Sequence, residues 1–282
     1  MYSEITFPGL GIAVNPDPTA LTLGSIHIQW YGVLIALGFI LAVFYCNRRA
    51  KQFGITEDQL LTMLICAVPA SIVCARAYYC IFNWSAYADD PISCLYIWEG
   101  GIAIYGAILG AVAAVVIYCL CAKVNLGAML DIGGLGLPIG QAIGRWGNFM
   151  NREAHGVVTD SFLRMGLADK NGVVTYYHPT FLYESLWNAL GFVLLHFYSK
   201  KRKYDGEVFT LYVAWYGLGR CAIEGLRTDS LWIFDTGIRA SQLLGGVSCL
   251  VALGLWIWKR WIKKPTGEKL YVNRVNAEKE NS

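Results

Sequence analysis

The chain is poor in charged residues. Lys, Arg, Asp and Glu make up only 15% of its 282 residues, against about 25% in an average soluble domain. So few charges cannot cover the surface of a soluble enzyme, and a hydrophobic content of 56% excludes a disordered chain. The net charge of +3 is too small to indicate a nucleic-acid-binding protein. The composition therefore predicts a helical protein embedded in a lipid bilayer.

Signals for metal ligation, disulfides and secretion are also missing. The nine cysteines form no Cys-x-x-Cys pair, and the four histidines add no ligand spacing. We therefore predict no metal site, no disulfide framework and no cofactor, and we interpret the cysteines as small packing residues. Residues 1–28 contain no Lys or Arg, which a signal peptide needs before its apolar run, so we expect an uncleaved extramembrane lead-in.

Seven apolar segments are each long enough, at about 20 residues, to cross a bilayer. They predict an all-α, multi-pass membrane protein with about seven transmembrane helices. Their approximate limits are 29–47, 59–82, 98–121, 129–149, 179–198, 207–227 and 237–258. We expect residues 1–264 to form one integral membrane domain, with the lead-in at 1–28 and an outer loop at 150–178. Residues 265–282 are expected to form a polar cytoplasmic tail.

Basic residues are distributed unevenly between the connections. Alternate connections hold twelve of them: Arg48, Arg49, Lys51, Lys123, Lys200, Lys201, Arg202, Lys203, Lys259, Arg260, Lys263 and Lys264. The opposite connections hold only Arg152, Arg164 and Lys170. Because cytoplasmic loops are enriched in Lys and Arg, this pattern predicts an N-terminus outside the cell and a C-terminus in the cytoplasm.

The basic residues inside the apolar segments are all arginines. In the predicted orientation they all fall in the outer half of the bilayer or at its outer edge. A charge at mid-membrane costs at least about 2.5–3.5 kcal/mol, so each is a candidate functional residue. The planar guanidinium group matches a phosphate or carboxylate, which indicates an anionic, amphiphilic ligand such as a phospholipid head group. The five are Arg76, Arg145, Arg220, Arg227 and Arg239.

The case for a functional role differs among these five arginines. For Arg145 and Arg220 a functional role is favoured. For Arg227 and Arg239, near segment ends, snorkelling to the interface or pairing with a carboxylate is favoured. For Arg76, a functional role and a structural one both stay open.

One face of the sixth segment is polar. Tyr216, Arg220, Glu224 and Arg227 follow at spacings of 4, 4 and 3 residues, so they share one helical face. Lipid cannot accept such a face, so it is expected to point into the bundle. Glu224 can neutralise either neighbouring arginine. A binding site and a structural ion-pair ladder both fit this stripe.

The fourth segment combines glycines with a polar end. Its glycines at 133, 136, 140, 144 and 147 lie at helical spacing and predict close helix packing. The segment ends in the most polar run of the chain, 144–156, which includes Arg145, Asn148 and Glu153. Polar, irregular backbone at membrane depth is tolerated only where it lines a cavity, so we expect a functional site there. Asp131, at the inner end, is given no catalytic role.

The run 144–156 resembles the signature Gly-Arg-x-Gly-Asn-Phe-x-Asn-x-Glu-x-x-Gly of the bacterial prolipoprotein diacylglyceryl transferase family, with every fixed position matched. The resemblance covers nearly the whole chain, because shorter family motifs occur in the right order. These are Trp30-Tyr31-Gly32, Trp98-Glu99-Gly100-Gly101, His178-Pro179, Leu182-Tyr183-Glu184 and the stripe from Tyr216 to Arg227.

The resemblance implies a specific reaction in the bacterial cytoplasmic membrane. The diacylglyceryl group of phosphatidylglycerol moves to the cysteine thiol in the lipobox, just after the signal peptide of a prolipoprotein. A thioether forms and glycerol 1-phosphate leaves. The implied partners are phosphatidylglycerol, the signal-peptide and lipobox region of the prolipoprotein, and the bilayer. The active site is expected to face the outer leaflet.

On this hypothesis Arg145 and Arg220 bind the phosphate and stabilise its departure. Asn148 and Tyr31 orient the head group or the reacting carbon through hydrogen bonds. The sequence therefore predicts these four residues at the centre of the site.

Other residues are predicted to support that centre. Glu153 and Glu224 are expected to hold the arginines, and Gly156 to permit a turn after the signature. Arg76 and Tyr105 are further expected contacts of the substrate. Some family members carry a histidine, suggested as a proton acceptor, where Tyr105 stands here. A tyrosine, with a reference pKa of about 10, is a poor base, so no base is assigned.

Two other classes of protein also fit buried arginines. A lipid or organic-anion transporter would be expected to show inverted repeats and broken helices at mid-membrane, and no repeat is evident here. A structural bundle with inert ion pairs does not explain why the arginines share one leaflet. The signature therefore favours the transferase.

Overall fold

The chain is described by a computed structural model over residues 4–24, 26–169, 172–228, 232, 237 and 239–281. The fold is mostly helical. It divides into two compact units, one of residues 1–48 and 131–268, the other of residues 49–130 and 269–282. The helices are α1 (Trp30–Ala50), α2 (Glu57–Phe82), α3 (Ile104–Cys121), α4 (Leu126–Asn151), α5 (Thr180–Ser199), α6 (Glu207–Glu224), α7 (Ala240–Ile257) and α8 (Tyr271–Glu280).

Within the described residues, five helices are long and apolar enough to cross a membrane: α1, α2, α3, α4 and a segment Ala240–Ile262 that begins with α7. The prediction of about seven spans is confirmed for these five. The helices α5 and α6 are long enough but not apolar enough to count as candidate spans, because they carry polar side chains. Glu184 and Asn188 interrupt α5, and α6 holds three charged residues within 18.

Six short strands in the described part of the chain correct the all-α prediction. They are β1 (Ile5–Phe7), β2 (Ile12–Val14), β3 (Thr19–Leu23), β4 (Ile26–Gln29), β5 (Met165–Ala168) and β6 (Val174–Tyr177). Four of them form an antiparallel sheet in the order β2-β1-β5-β6, and β3 pairs with β4. The predicted lead-in and outer loop therefore share one sheet. Runs of three to five residues are too short to show a clear alternation of apolar and polar side chains.

Glycines allow α4 to approach α1 closely. A Cβ atom added to Gly136 would lie 2.6 Å from the Cys46 Sγ atom, and one added to Gly144 would lie 3.0 Å from Ile35. The Cys46 thiol also donates a hydrogen bond to the carbonyl of Ile132 at 3.4 Å. The packing role predicted for the glycines of this segment is confirmed at Gly136, Gly144 and Gly147, whereas a Cβ atom added to Gly133 or Gly140 would meet nothing within 4 Å.

Two tryptophans fix the register of α5 against α6. The rings of Trp187 and Trp215 stack with centroids 4.2 Å apart. Each indole N–H donates to the backbone carbonyl of the other residue at 3.0 Å. Glycines make room, because a Cβ on Gly219 would lie 2.1 Å from the Trp187 Nε1 atom. We call this arrangement the tryptophan clasp. It prevents α5 from sliding along α6, so charged groups on the two helices keep their relative heights.

Asp131 caps the start of α6. Its carboxylate is fully buried and accepts hydrogen bonds from the backbone N–H groups of Gly206 and Phe209, both at 2.9 Å. These are among the amide groups that a helix leaves without partners at its N-terminus. This structural role agrees with the prediction that Asp131 is not catalytic.

We expect Asp131→Ala to lower the free energy of unfolding by about 1 kcal/mol, as lost helix caps do. The thermal midpoint of the purified protein in detergent should fall, while the helical content of the folded state stays unchanged. An unchanged midpoint would contradict the capping role.

The second unit has a core of its own. Gly106 and Gly110 let α3 approach α2, since added Cβ atoms would lie 2.4 Å and 2.6 Å from backbone carbonyl oxygens of α2. The predicted polar tail contains α8, whose Tyr271 is buried. Backbone of Val272 lies against Gly54, which has a φ of +77°. The tail therefore folds back onto its own unit, which its polar composition did not indicate.

Candidate active site

Three arginines converge on one glutamate. The carboxylate of Glu184 in α5 pairs with Arg145 of α4 at 2.5 Å, with Arg227 at 2.9 Å and with Arg220 of α6 at 3.6 Å. Arg220 also pairs with Glu224 of the same helix at 2.5 Å. We call these five residues the charge cluster. The sequence analysis assigned Arg145, Arg220 and Glu224 to the site and placed Arg227 on the same stripe without a favoured functional role. The structure adds Glu184.

The charge cluster has an inner and an outer part. The side chain of Glu224 is 1% exposed and that of Glu184 8%, whereas those of Arg145 and Arg220 are 25% and 19% exposed. Three guanidinium groups and two carboxylates leave a formal charge of +1. An anionic ligand would therefore meet Arg145 and Arg220 first and would neutralise the cluster.

The polar run at the end of α4 and just beyond it forms a hydrogen-bonded relay behind Arg145. Its guanidinium donates to the Asn148 side-chain oxygen at 3.2 Å, and the Asn148 amide donates to Glu153 at 2.9 Å. Asn151 donates to the same carboxylate at 3.3 Å. Glu153 was predicted to hold the arginines in place. It contacts the two asparagines, and Asn148 connects it to Arg145.

The backbone of this run is strained. Arg152 and Ala154 have φ values of +55° and +53°, which residues with a side chain rarely adopt. Hydrogen bonds hold both of them. Arg152 donates to Asn15 and Pro16 at 3.1 and 2.9 Å, and the Thr180 hydroxyl donates to the Ala154 carbonyl at 2.5 Å. Strained conformations persist where surrounding contacts determine them and are concentrated at functional sites.

Gly156 lies where three segments meet. It forms an isolated bridge with Arg227, and its N–H donates to the His178 carbonyl at 2.9 Å. A Cβ atom here would lie 2.7 Å from the His178 Cβ and 2.8 Å from the Leu226 oxygen. Its φ is not positive, so the expected turn is not the reason for this glycine. A glycine is needed here because the backbone segments approach each other so closely that a side chain would not fit.

Tyr31 and the polar stripe were both predicted to reach the site. Tyr31 is the second residue of α1 and lies against α4, because a Cβ atom added to Gly147 would lie 2.7 Å from its ring. The stripe is shorter than expected, since α6 ends at Glu224 and Arg227 lies in the turn that follows. In that turn its N–H donates to the Glu224 carbonyl at 3.1 Å.

Arg239 lies beside the same turn. It donates to the Glu224 carbonyl oxygen, and its guanidinium lies 5.1 Å from the ring centre of Trp232. Like Arg227, which pairs with Glu184, it has a polar partner. The expected pairing with a carboxylate is therefore observed for Arg227, whereas the partner of Arg239 is a backbone carbonyl.

Arg76 belongs to the other unit and is 5% exposed. Its guanidinium donates to four backbone carbonyls, those of Ser93, Cys94, Gly100 and Gly101, at 2.5–2.9 Å. These contacts fold residues 93–101 around the side chain. Its predicted contact with substrate stays a prediction.

Two further predictions lie outside the charge cluster. Tyr105 is the second residue of α3, is half-buried and belongs to the same unit as Arg76. Its expected contact with substrate also stays a prediction. Lys170, counted among the outer basic residues, lies outside the described residues.

Glu184 is the residue that sequence reasoning missed. It appeared only within the short motif Leu182-Tyr183-Glu184. A signal was present, because a carboxylate within an apolar segment is as costly as an arginine and needs a partner. Five arginines in apolar segments therefore called for carboxylates in other segments.

Membrane-length helices and a buried charge cluster define the chain as an integral membrane protein with a polar site among its helices. Comparison with known proteins gives the family. Residues 18–258 match the family model described as prolipoprotein diacylglyceryl transferase. The chain belongs to the prolipoprotein diacylglyceryl transferase family, which confirms the resemblance seen in the sequence.

Several bacterial relatives are similar over almost their full length. A relative from Shouchella clausii is 43% identical over 274 residues, which cover 94% of this chain and 96% of the relative. Relatives from Listeria welshimeri and Lactiplantibacillus plantarum are 42% and 41% identical, and the matches cover 91% and 90% of this chain and 95% of each relative. All three are named phosphatidylglycerol–prolipoprotein diacylglyceryl transferase.

Proposed function

We propose that the charge cluster is the active site at which the diacylglyceryl group of phosphatidylglycerol is transferred to the lipobox cysteine of a prolipoprotein. The chain is a transferase that modifies lipoproteins, as its family and relatives establish. The observation that carries the proposal is the convergence of three guanidinium groups on Glu184. This cluster can bind one phosphate group within a membrane protein.

The chemistry is a displacement at carbon. The cysteine thiolate attacks the glyceryl carbon that bears the phosphate, so a C–S bond forms as the C–O bond breaks. The electron pair of the broken bond stays on the phosphate oxygen, and glycerol 1-phosphate leaves as a dianion. The attacking thiol enters as a thiolate, and a positive field favours its ionisation from a reference pKa near 8.5.

The enzyme has to stabilise charge that develops on the departing phosphate. Arg145 and Arg220 are suited to this role because their positions are fixed before the substrate binds. Preorganised donors in a water-poor site stabilise developing charge more strongly than water does. We assign the phosphate to these two arginines, and we assign to Asn148 and Tyr31 the orientation of the head group or the reacting carbon.

Supporting roles follow from the contacts. Glu224 holds Arg220 through their ion pair at 2.5 Å, and Glu153 holds Asn148. Gly156 allows the signature to close on α5. We also propose that Arg76 and Tyr105 take part in substrate binding. Arg76 would do so indirectly, by holding the backbone of residues 93–101 in place.

We further propose that α5 and α6 cross the membrane, giving seven spans within one membrane domain at 1–264 and a cytoplasmic tail at 265–282. Their lengths of 20 and 18 residues are sufficient. Their charges turn inward, as Glu184 and Glu224 are buried. The distribution of basic residues supports an outer N-terminus, an active site facing the outer leaflet and a location in the bacterial cytoplasmic membrane.

A transfer assay tests the proposal directly. Purified protein in vesicles receives phosphatidylglycerol labelled in its acyl chains and a peptide that contains a lipobox. We expect label on this peptide and release of glycerol phosphate. A matched peptide with serine in place of the lipobox cysteine should stay unlabelled. Absence of label from both peptides, with the protein folded, would remove the proposal and make lipid transport the next hypothesis.

A further inference from the structure

Glu184 occupies a singular place in the charge cluster. It contacts three arginines, whereas Glu224 forms an ion pair with one. It also comes from α5, while its arginine partners come from α4, from α6 and from the turn after α6. One carboxylate therefore connects all the guanidinium groups of the cluster.

The helix that carries Glu184 is fixed on two sides. Next to it, the Ser185 hydroxyl donates to the Ala142 carbonyl of α4 at 2.8 Å and accepts the Trp146 indole N–H at 3.2 Å. One turn further, the tryptophan clasp joins α5 to α6. The carboxylate is thus held in place by contacts that do not involve the arginines themselves.

We infer that Glu184 is a positioning residue, which aligns Arg145, Arg220 and Arg227 and limits the charge of the site to +1. This inference rests on the proposed function. Without the carboxylate, three like charges would face one another in a partly buried site, and their repulsion would turn the guanidinium groups away from the orientation needed by the phosphate. Glu184 acts on the reaction through the arginines.

The charge limit also bears on the product. Phosphatidylglycerol brings one negative charge, which neutralises a cluster of +1. The leaving glycerol phosphate carries two, so the cluster attracts the product more strongly than the substrate, and the carboxylate of Glu184 keeps this attraction weaker than a cluster of +2 would make it. Removing the negative charge of Glu184 raises the cluster to +2, which matches the dianionic product.

The test compares Glu184→Gln and Glu184→Asp with the wild-type protein in the transfer assay, with glycerol 1-phosphate as added inhibitor. For Glu184→Gln we expect kcat to fall about tenfold and the inhibition constant to fall about tenfold as well, the effect of one unscreened charge nearby. Glu184→Asp keeps the charge and shortens the reach. It should lower kcat while its inhibition constant stays within about twofold of the wild-type value.

Glu207→Gln is the matched control. Like Glu184, Glu207 is a buried carboxylate that pairs with an arginine, here Arg260 at 3.0 Å. It stabilises the connection between α5 and α6, because its carboxylate accepts hydrogen bonds from the Tyr198 hydroxyl at 2.6 Å and from the Lys203 backbone N–H at 2.5 Å. This variant should melt at a lower temperature, with an unchanged inhibition constant for the folded protein.

The outcomes separate the inference from the function on which it rests. Wild-type kinetics in Glu184→Gln would overturn the positioning role. A lower kcat accompanied by weaker inhibition would overturn it too, because a general loss of structure loosens anion binding, whereas loss of the carboxylate tightens it. Failure of the wild-type protein to label the peptide would instead defeat the proposed function.

Discussion

Replacing Arg145 by lysine should lower kcat for diacylglyceryl transfer at least a hundredfold, the loss typical of one preorganised donor. The arginine uses both ends of its guanidinium group, one toward Asn148 at 3.2 Å and one toward Glu184 at 2.5 Å. Lysine retains the positive charge but presents a single ammonium group without the planar fork. It cannot keep both contacts and also meet the phosphate.

The kinetic constants distinguish charge from geometry. Because the charge is kept, the KM for phosphatidylglycerol should change much less than kcat, as expected when an interaction of the transition state is lost. Arg164→Lys is the control, since Arg164 donates to the carbonyls of Asp160 and Ser161 outside the cluster, and it should keep normal activity. Near-normal turnover of Arg145→Lys, with equal amounts of inserted protein, would defeat the proposed role of the guanidinium fork.

Much of the helical fold and part of the site could be predicted from local pattern. Apolar segments of sufficient length indicate spanning helices, and five of them are confirmed. Charges within apolar segments are costly enough to stand out, so Arg145, Arg220 and Glu224 were recognised from the sequence and meet in the charge cluster. The glycine spacing in α4 likewise predicted close packing, which Gly136 confirms.

What local pattern could not give is the pairing between distant segments. Glu184 lies 39 residues after Arg145 and 36 before Arg220 in the sequence, and no periodicity links separate helices. The sheet could not be predicted for the same reason, because β1 pairs with β5 across more than 150 residues of sequence. Arg76 shows a further limit, since its partners are backbone carbonyls, which every sequence contains.

The role of Gly156 leads to the second large effect. A methyl group at this position would lie within 3.0 Å of atoms from His178, Leu226 and Thr180, which belong to two separate segments. Two of these three atoms are a backbone oxygen and a Cβ atom, so neither can rotate away. The bridge between Gly156 and Arg227 would have to open. Because Arg227 also pairs with Glu184 at 2.9 Å, we expect opening of the bridge to displace that ion pair.

We therefore expect Gly156→Ala to lower kcat at least a hundredfold, since misplacement of groups by about 1 Å can cost that much. The transfer assay measures the loss, and thermal unfolding normalises it to folded protein. Gly133→Ala is the matched control, because the same methyl group would enter open space within α4, and its activity should match the wild type. Normal turnover of Gly156→Ala would show that the segments can separate without harm. The geometry at Gly156 would then have no part in placing Arg227, and the charge cluster would owe its arrangement to the helices alone.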